Sequence, residues 1–140
     1  MRLLPLSILL VLALGCSTTK NAAIKHNSLI GTWLPIKLEI AGKELPAETY
    51  SNQKLILSDS TYTFIAESVD KGVVRYEGNK MDIYGREGVN AGKHFTTIYK
   101  YENEQLTICY NLKGDSYPEA FETKTNPFFF LAVFKKENTK

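Results

Sequence analysis

The chain has 140 residues, and its 17 Lys and Arg against 15 Asp and Glu give a formal net charge of +2. This length suits one domain with a single core, and the near balance of charge excludes an electrostatic argument for binding nucleic acid or an acidic partner. Eight Tyr and seven Phe favour sheet over helix.

Residues 1–15 have the layout of a secretory signal peptide. Met1 and Arg2 precede a run from Leu3 to Leu14 that is almost entirely Leu, Ile, Val and Ala, and a glycine follows. The run covers about a dozen residues, whereas a helix needs about 20 to cross the hydrocarbon core of a bilayer. We therefore predict that residues 1–15 are removed on export.

The residues around Cys16 resemble the bacterial lipobox, in which small residues precede a Cys that is lipidated and becomes the new N-terminus. The sequence at this point is Ala13-Leu14-Gly15-Cys16-Ser17. Acyl chains on one residue anchor a protein through buried methylenes, at about 0.8 kcal/mol each. We predict a lipoprotein of the bacterial envelope, attached to the membrane through Cys16. The alternative is an ordinary signal peptide that is cut elsewhere and leaves Cys16 unmodified.

A polar tether is predicted at residues 16–28. Its residues are small, polar and aperiodic, as expected for a segment that holds a domain away from a bilayer. It carries Lys20 and Lys25 but no carboxylate, so it lacks the acidic residues that in some bacteria mark lipoproteins for the outer cell surface. We expect the protein on the periplasmic face of the outer membrane.

Residues 29–136 are predicted to form an almost entirely β domain. Short alternating runs are separated by turn residues, and no segment fits a long amphipathic helix. We predict eight strands, at residues 30–41, 53–58, 61–67, 72–77, 80–84, 94–102, 105–111 and 128–136. Tight turns are expected at 59–60, 70–72, 78–79 and 103–104. Residues 46–52 are expected to form one helical turn, with Pro46 at its first position.

Eight antiparallel strands joined by hairpins predict a single up-and-down barrel, because closure removes exposed sheet edges. At that strand number the interior is either filled by side chains or holds one small ligand. The buried face is predicted to include Leu34, Ile36, Leu38 and Ile40 in the first strand, Leu55 and Leu57 in the second, and Leu106, Ile108 and Tyr110 in the seventh. The last strand is apolar on both faces, so we expect something to cover its outer side.

Several segments of this domain follow a pattern shared with a known family. They are Gly31-Thr32-Trp33 at the start of the first strand, residues 41–46 after it, residues 106–110, residues 117–124, and a last strand ending in Lys135-Lys136. Together they resemble a lipocalin-like conserved domain of planctomycete and other bacterial proteins. The likeness covers residues 30–136, and its most specific parts are the Gly-x-Trp opening and the Pro-x-x-Phe-x-Thr-Lys stretch.

The resemblance implies a lipocalin-like barrel, but the family offers no established activity and no catalytic residues. In lipocalins proper the Trp closes one end of the barrel and packs beneath a basic residue of the last strand. The resemblance therefore implies that Trp33 is a structural plug beneath Lys135 or Lys136, although Lys stacks less well than Arg.

The glycine-rich segment 85–93 invites comparison with a phosphate-binding loop. It lacks a Gly at the required spacing before Gly92, His94 replaces the Ser or Thr, and a strand follows instead of a helix. We interpret it as a long hairpin loop at a barrel end. Such loops border the mouth of a barrel, where Arg86 and Lys93 could meet an anionic ligand.

Catalytic and metal-binding constellations are not found in the sequence. His26 and His94 lie far apart and lack partners at ligand spacing. Asp82 and Glu122 are interpreted as solvated or capping groups. We predict no enzymatic activity, no cofactor and no metal site.

Cys109 is the only thiol that remains once Cys16 carries lipid. No internal disulfide can then form, so the core must hold the fold. The residue lies in a strand pattern with no neighbouring His, and we interpret it as a small packed hydrophobe.

Three functions are compatible with this sequence. The first is a binding protein whose barrel holds a small apolar or amphipathic molecule. The second is a packed structural or interaction module of the cell envelope, which meets a protein partner through the two-faced last strand. The third, an enzyme, has no supporting constellation.

For the binding protein we place the mouth at residues 46–52, 85–93 and 111–127. The 85–93 loop has three glycines and little apolar anchoring, so we expect it to move easily. If Arg86, Lys93 and Lys124 converge at the mouth, they favour a carboxylate or phosphate head group. The predicted interior contacts of the ligand are Tyr62, Phe64, Tyr99 and Tyr110.

Overall fold

The structure is a computed structural model that describes residues 26–138. The predicted signal peptide, Cys16 and most of the predicted tether lie outside the described residues. The strands are β1 (Gly31–Ile40), β2 (Lys43–Glu44), β3 (Lys54–Leu57), β4 (Thr61–Ile65), β5 (Val69–Glu77), β6 (Lys80–Glu87), β7 (His94–Glu102), β8 (Gln105–Asn111) and β9 (Phe129–Lys136). Short 3-10 turns occupy His26–Ser28 and Ala47–Thr49. Within residues 26–138, no helix has the length and apolar character needed to span a bilayer.

Eight strands form a closed antiparallel barrel. The neighbours follow the order β1-β3-β4-β5-β6-β7-β8-β9, and β9 pairs back onto β1. This last pairing runs from Trp33 opposite Lys136 to Ile40 opposite Phe130. The two-residue strand β2 was not predicted and adds to the mouth end of β1. The predicted fold class, all-β with a single eight-stranded up-and-down barrel, is confirmed.

Antiparallel pairing decides which turns share an end of the barrel. Turns 58–60, 78–79 and 103–104 lie at one end, here called the closed end, together with the entry of the chain at Leu29. Turns 41–53, 66–68 and 88–93 lie at the opposite end, here called the mouth, where the 112–128 connection also begins and ends. The topology therefore places the three predicted mouth segments at one end.

Large side chains fill the interior at the closed end. Among the most deeply buried are Trp33, Tyr99, Phe134, Met81 and Leu106. Trp33 and Tyr101 meet edge to face with ring centroids 5.8 Å apart. Burial of such side chains is the dominant favourable contribution to folding, and every buried hydrophobic residue of the described part lies between Leu29 and Lys136.

The prediction of which side chains of β1 face the interior is wrong for the first half of the strand. A bulge between Pro35 and Lys37 shifts the pairing with β9, so Trp33 and Leu38 are buried whereas Ile36 is 37 % exposed. A bulge inserts one residue and turns the following side chains to the other face. Proline tolerates such a position because it has no N–H to give to the ladder. Leu34, on the same face as Ile36 before the bulge, is only partly buried.

The 112–128 connection, here called the strap, covers the outer wall of the barrel. Tyr117 and Phe121 pack on an outer cluster made of Ile98, Cys109 and Leu131. The expectation that something covers the outer side of the last strand is confirmed. The strap reaches β1, where Thr123 accepts a hydrogen bond from the Gly42 amide (2.7 Å) and donates one to Glu39 (2.7 Å).

Two predicted boundaries near the mouth are wrong. The turn expected at 70–72 lies inside β5, and the chain turns instead at 66–68, because Asp70 is buried opposite Phe64. Strand β6 extends to Glu87, which shortens the glycine-rich loop to 88–93. The helical turn predicted within 46–52 is present as a 3-10 turn at Ala47–Thr49, but Pro46 is its N-cap and not its first residue.

Candidate functional site

Four aromatic side chains face the interior just below the mouth and remain partly exposed. They are Phe64, Phe95, Tyr110 and Phe130, here called the aromatic cup. Tyr110 and Phe130 lie opposite each other on β8 and β9, with ring centroids 5.6 Å apart. At the closed end Trp33, Tyr99 and Phe134 are fully buried, although Tyr76 and Tyr101 there also keep some exposure. The four rings of the cup are the partly exposed interior aromatics on the mouth side.

The Tyr62 hydroxyl is a buried polar group without a partner. Tyr62 is only 6 % exposed, and its Oη has no hydrogen-bond partner among residues 26–138. Gly72 pairs with it and leaves room for the ring, since a Cβ at Gly72 would lie 2.7 Å from Tyr62 Cε1. An unpaired buried hydroxyl costs about 1–3 kcal/mol. Such a group indicates a water or ligand atom that completes it.

Interior tyrosines are held in their neutral form. Burial, and then the nearby Asp70 carboxylate, raises the pKa of Tyr62. Burial, with contributions from Tyr62 and other neighbours, raises the pKa of Tyr110. Burial likewise raises the pKa of Tyr76 to about 12. These hydroxyls therefore offer hydrogen bonds without adding charge, which suits the polar atom of a largely apolar ligand.

Asp70 ties the 88–93 loop across one side of the mouth. Its carboxylate is 3 % exposed and accepts hydrogen bonds from the Asn90 amide (3.0 Å) and from Asn90 Nδ2 (3.2 Å). Gly88 packs so closely on Asp70 that no side chain fits there. The loop also closes on itself through Gly85 N to Lys93 O (2.9 Å). The loop was expected to move easily for want of an apolar anchor, but a polar anchor holds it.

The predicted interior residues divide between the two ends of the barrel. Tyr62, Phe64 and Tyr110 lie in or beside the aromatic cup. Tyr99 lies at the closed end, where its hydroxyl donates to the Gly78 carbonyl at 2.9 Å, so it is outside the cup. Trp33 is fully buried at the closed end, as expected for a plug.

Phe95 and Phe130 belong to the cup but were not predicted as site residues. Alternation along β7 puts Phe95 on the same face as Thr97 and Tyr99, and this signal was available in the sequence. Phe130 lies in a strand that is apolar on both faces. Alternation of apolar and polar residues therefore could not predict whether the Phe130 side chain faces the interior.

The three predicted cations do not share one site. Arg86 ends the outer face of β6, and Lys93 Nζ bonds to Asn90 Oδ1 at 3.2 Å. Lys124 packs against Gly42 in the turn after β1. Strands β1 and β6 lie across the barrel from each other in the strand order. The mouth therefore has a basic side at β6 and β7, with Lys124 on the opposite side.

A second polar cluster lies on the outer wall under the strap. Asp82 Oδ1 lies 2.6 Å from His94 Nε2, and Asp82 Oδ2 accepts a hydrogen bond from the Tyr117 hydroxyl at 2.7 Å. The His94 ring stacks on Tyr84 with centroids 4.4 Å apart. The interpretation of Asp82 as a solvated or capping group was wrong, because strand pairing brings His94 beside its carboxylate.

This outer cluster has the chemistry of a latch. The hydrogen bond to Asp82 raises the pKa of Tyr117 to about 12, so the hydroxyl stays protonated. Asp82 thereby fastens the strap to β6. Within residues 26–138, no group of three His, Cys, Asp or Glu side chains is arranged to hold a metal ion.

Cys109 is buried under the strap. Burial raises the pKa of its thiol to about 11, and its Sγ lies 3.7 Å from the Glu122 carbonyl oxygen. The Glu122 side chain itself is exposed. A buried thiol of raised pKa is a packing residue and a poor nucleophile.

A polar cavity of about 390 Å³ lies at the mouth, outside the aromatic cup. It is lined by Glu48, Thr49, Asn52, Gln53, Ala66, Glu67 and Ser68. The volume would suit a small ligand, but ligand sites are lined mainly by apolar groups with few polar ones. This cavity lacks the apolar surface that the cup offers.

Comparisons of the chain with models of protein families, with curated proteins and with solved structures gave no match.

Proposed function

We propose that this protein is a lipid-anchored envelope protein whose barrel binds one small apolar or amphipathic molecule in the aromatic cup. The observation that carries the proposal is that partly exposed interior aromatics and the unpartnered Tyr62 hydroxyl occur in the same part of the barrel. Apolar walls supply most of the affinity and a few placed polar groups supply orientation in sites of this kind.

The cup fits an amphipathic ligand that enters with its apolar part first. Rings of Phe64, Phe95 and Phe130 offer apolar contact, while the Tyr62 hydroxyl offers one hydrogen bond. Arg86 and Lys93 stand at the basic side of the mouth, where a carboxylate or phosphate head group would lie. Charge-assisted hydrogen bonds at such a position are stronger than neutral ones.

The proposed anchor is Cys16, on the periplasmic side of the outer membrane. Support comes from the lipobox-like sequence and from the point where the chain enters the barrel. The described chain begins at His26–Ser28, beside the closed end. An anchored barrel therefore carries its mouth at the end remote from the tether.

The alternative is a packed structural or protein-interaction module of the cell envelope without a ligand. Contact with a partner was expected through the last strand, and Tyr117 and Phe121 of the strap pack on Leu131 of its outer face. This cover favours the ligand carrier over contact through that part of the strand.

Native mass spectrometry of protein purified from its own envelope tests the carrier. We expect a bound mass of lipid size that is released on denaturation and is identified by extraction. Displacement of a fluorescent naphthylamine probe by long-chain fatty acids and lysophospholipids gives affinities. Phe130→Ala should weaken probe binding, whereas Phe128→Ala, on the outside, is the matched control. A purified protein without bound mass that also fails to bind the probe would contradict the proposal.

A further inference from the structure

Exposed apolar side chains concentrate at the mouth. Four of the large hydrophobic residues with high exposure lie there, namely Val69 (47 %), Val89 (67 %), Leu112 (39 %) and Phe128 (45 %), here called the apolar rim. Ile30 and Ile36 are also exposed but lie towards the closed end and on the wall. Single exposed apolar residues are ordinary, whereas a group around an opening indicates a contact surface.

The four residues of the apolar rim follow an arc around the mouth, in the order of the strands. Gly88, which precedes Val89, packs against the Val69 carbonyl. Leu112 and Phe128 are joined by the hydrogen bond from Leu112 N to Phe128 O at 3.0 Å. Between these two pairs, Gly114 of the strap packs against the carbonyl of His94, the first residue of β7. The arc therefore follows β5, β6, β7, β8 and β9 around the mouth.

Positive charge accompanies the apolar rim. Lys71 and Lys113 are neutralised by Glu87 (3.6 Å) and Asp115 (3.8 Å). Across the part of the chain that the structure describes, neither Arg86 nor Lys93 pairs with a carboxylate. Lys113 Nζ also lies 4.9 Å from the centre of the Phe128 ring. The arc thus offers, beside its apolar side chains, two cations that no carboxylate of the described residues neutralises.

The other side of the mouth, away from the apolar rim, carries acidic side chains. Glu48 and Glu67 line the polar cavity there, so the mouth has a basic and apolar side and an acidic side. Protein surfaces that bind the interface of an anionic bilayer combine apolar and aromatic side chains with Lys and Arg. A bilayer is also where an apolar ligand for the cup would be dissolved.

We propose that the apolar rim docks on the surface of a lipid bilayer carrying anionic headgroups and brings the mouth onto the membrane. This inference rests on the proposed ligand carrier and adds the place where ligand is exchanged. Val89 and Phe128 insert among the headgroups, and Arg86 and Lys93 meet lipid phosphates. The tether leaves from the closed end, so an upright barrel presents the rim to a bilayer other than the one that holds its anchor.

Vesicle co-sedimentation tests the docking surface. The protein is the chain from residue 16 onwards with Cys16→Ser, which keeps all described strands and core residues but has no lipid. Vesicles of phosphatidylethanolamine and phosphatidylglycerol are compared with phosphatidylcholine vesicles. We expect binding to the anionic vesicles and weakening with salt, since exposed charges are screened within about 8 Å at physiological ionic strength.

Matched variants distinguish binding through the apolar rim from non-specific adsorption to vesicles. Arg86→Gln and Lys93→Gln should each weaken binding to anionic vesicles about fivefold. The double variant Val89→Ser with Phe128→Ser should weaken it by about tenfold or more. Lys135→Gln and Ile30→Ser remove an equally exposed charge and apolar group near the closed end, and both should bind as the unsubstituted protein does.

The readings separate this inference from the proposed carrier function. Absence of binding to anionic vesicles, or equal binding by rim variants and their controls, overturns the docking surface, and a protein partner is then the remaining occupant. Probe binding in the cup is measured on the same samples without vesicles. The double variant Val89→Ser with Phe128→Ser, which lies outside the cup, supports the docking surface if it keeps probe binding but loses vesicle binding. Vesicle binding without probe binding overturns the carrier alone.

Discussion

Lys136 Nζ lies 5.4 Å from the centre of the Trp33 ring, so the last strand places a cation over the aromatic plug of the first. The same Nζ donates to the Ser28 carbonyl at 3.1 Å, and Trp33 Nε1 donates to the Leu29 carbonyl at 2.8 Å. Gly31 makes this crossing possible, since a Cβ there would lie 2.7 Å from Lys136 Cε and its φ is +140°. The Gly-x-Trp motif thus has a physical reason in this chain.

Trp33→Ala is expected to cost about 3–5 kcal/mol of unfolding free energy, because it removes a fully buried ring from a filled interior. Urea unfolding followed by far-UV circular dichroism measures the loss. Phe128→Ala, which truncates an exposed ring, is the control and should cost less than about 1 kcal/mol. Equal stability of the two variants would show that Trp33 is not the plug.

Tyr62→Phe is expected to leave the free protein as stable as before or more stable, because it deletes a buried hydroxyl without a hydrogen bond. The same change should weaken binding of an amphipathic ligand in the cup. Tyr99→Phe is the matched control, since it deletes a hydroxyl that bonds to Gly78 and should cost about 1 kcal/mol. Loss of stability in Tyr62→Phe with unchanged ligand affinity would assign Tyr62 a structural role instead.

Cys109 is expected to react slowly with iodoacetamide in the folded protein. Its pKa of about 11 leaves about 100-fold less thiolate at pH 8 than an ordinary thiol has, and burial under the strap adds a barrier to access. The measurement uses the Cys16→Ser chain, in which Cys109 is the only thiol. Reaction should accelerate in urea, and reducing agent should not shift the thermal midpoint. Rapid labelling of the folded protein would mean that the strap opens.

The strap latch is expected to weaken at alkaline pH. Tyr117 has a pKa raised to about 12 by its hydrogen bond to Asp82, against about 10 in an unfolded chain. Its contribution to stability is complete below pH 10 and is lost as the pH rises towards 12. Tyr117→Phe should therefore be less stable at neutral pH and should lose less stability between pH 10 and 12. Parallel stability curves for the two proteins would exclude Tyr117 as the titrating group.

Cys16→Ala is expected to abolish acyl labelling and release the protein from the membrane fraction, because that thiol accepts the lipid in the proposed lipoprotein. Cys109→Ala is the control, since it removes the other Cys of the chain and should leave anchoring intact. Membrane fractionation and labelling with a radioactive fatty acid make the comparison. Unchanged labelling of Cys16→Ala would refute the lipobox interpretation.

Local chemistry made parts of the fold predictable. Strands β7 and β8 have the predicted bounds. Their turn consists of Asn103 and Glu104, both in the left-handed region with φ of 52° and 61°, as the tight two-residue hairpin requires. Alternation likewise identified Tyr62, Phe64 and Tyr110 as interior residues, because neighbouring side chains of a strand point to opposite faces.

Features that depend on distant partners were not predictable. The bulge in β1 follows from pairing with β9, and the burial of Asp70 follows from Asn90 folding over it. Asp82 and His94 looked isolated because strand pairing, not sequence spacing, brings them together. The unpartnered Tyr62 hydroxyl is a property of the whole interior. A local sequence pattern does not show whether a buried hydroxyl finds a hydrogen-bond partner.

Pairing of β1 with β9 also means that the barrel closes last, after the C-terminal strand is available. Trp33 and Lys136 are register partners although about 100 residues separate them, so closing the ring incurs the entropy of a very long loop. A chain that emerges N-terminus first from a ribosome or a translocation pore cannot close its barrel until the last strand has emerged. Contacts of this range make folding slow, on the order of milliseconds to seconds. A chain truncated before β9 keeps two open sheet edges, on β1 and β8, and an uncovered interior.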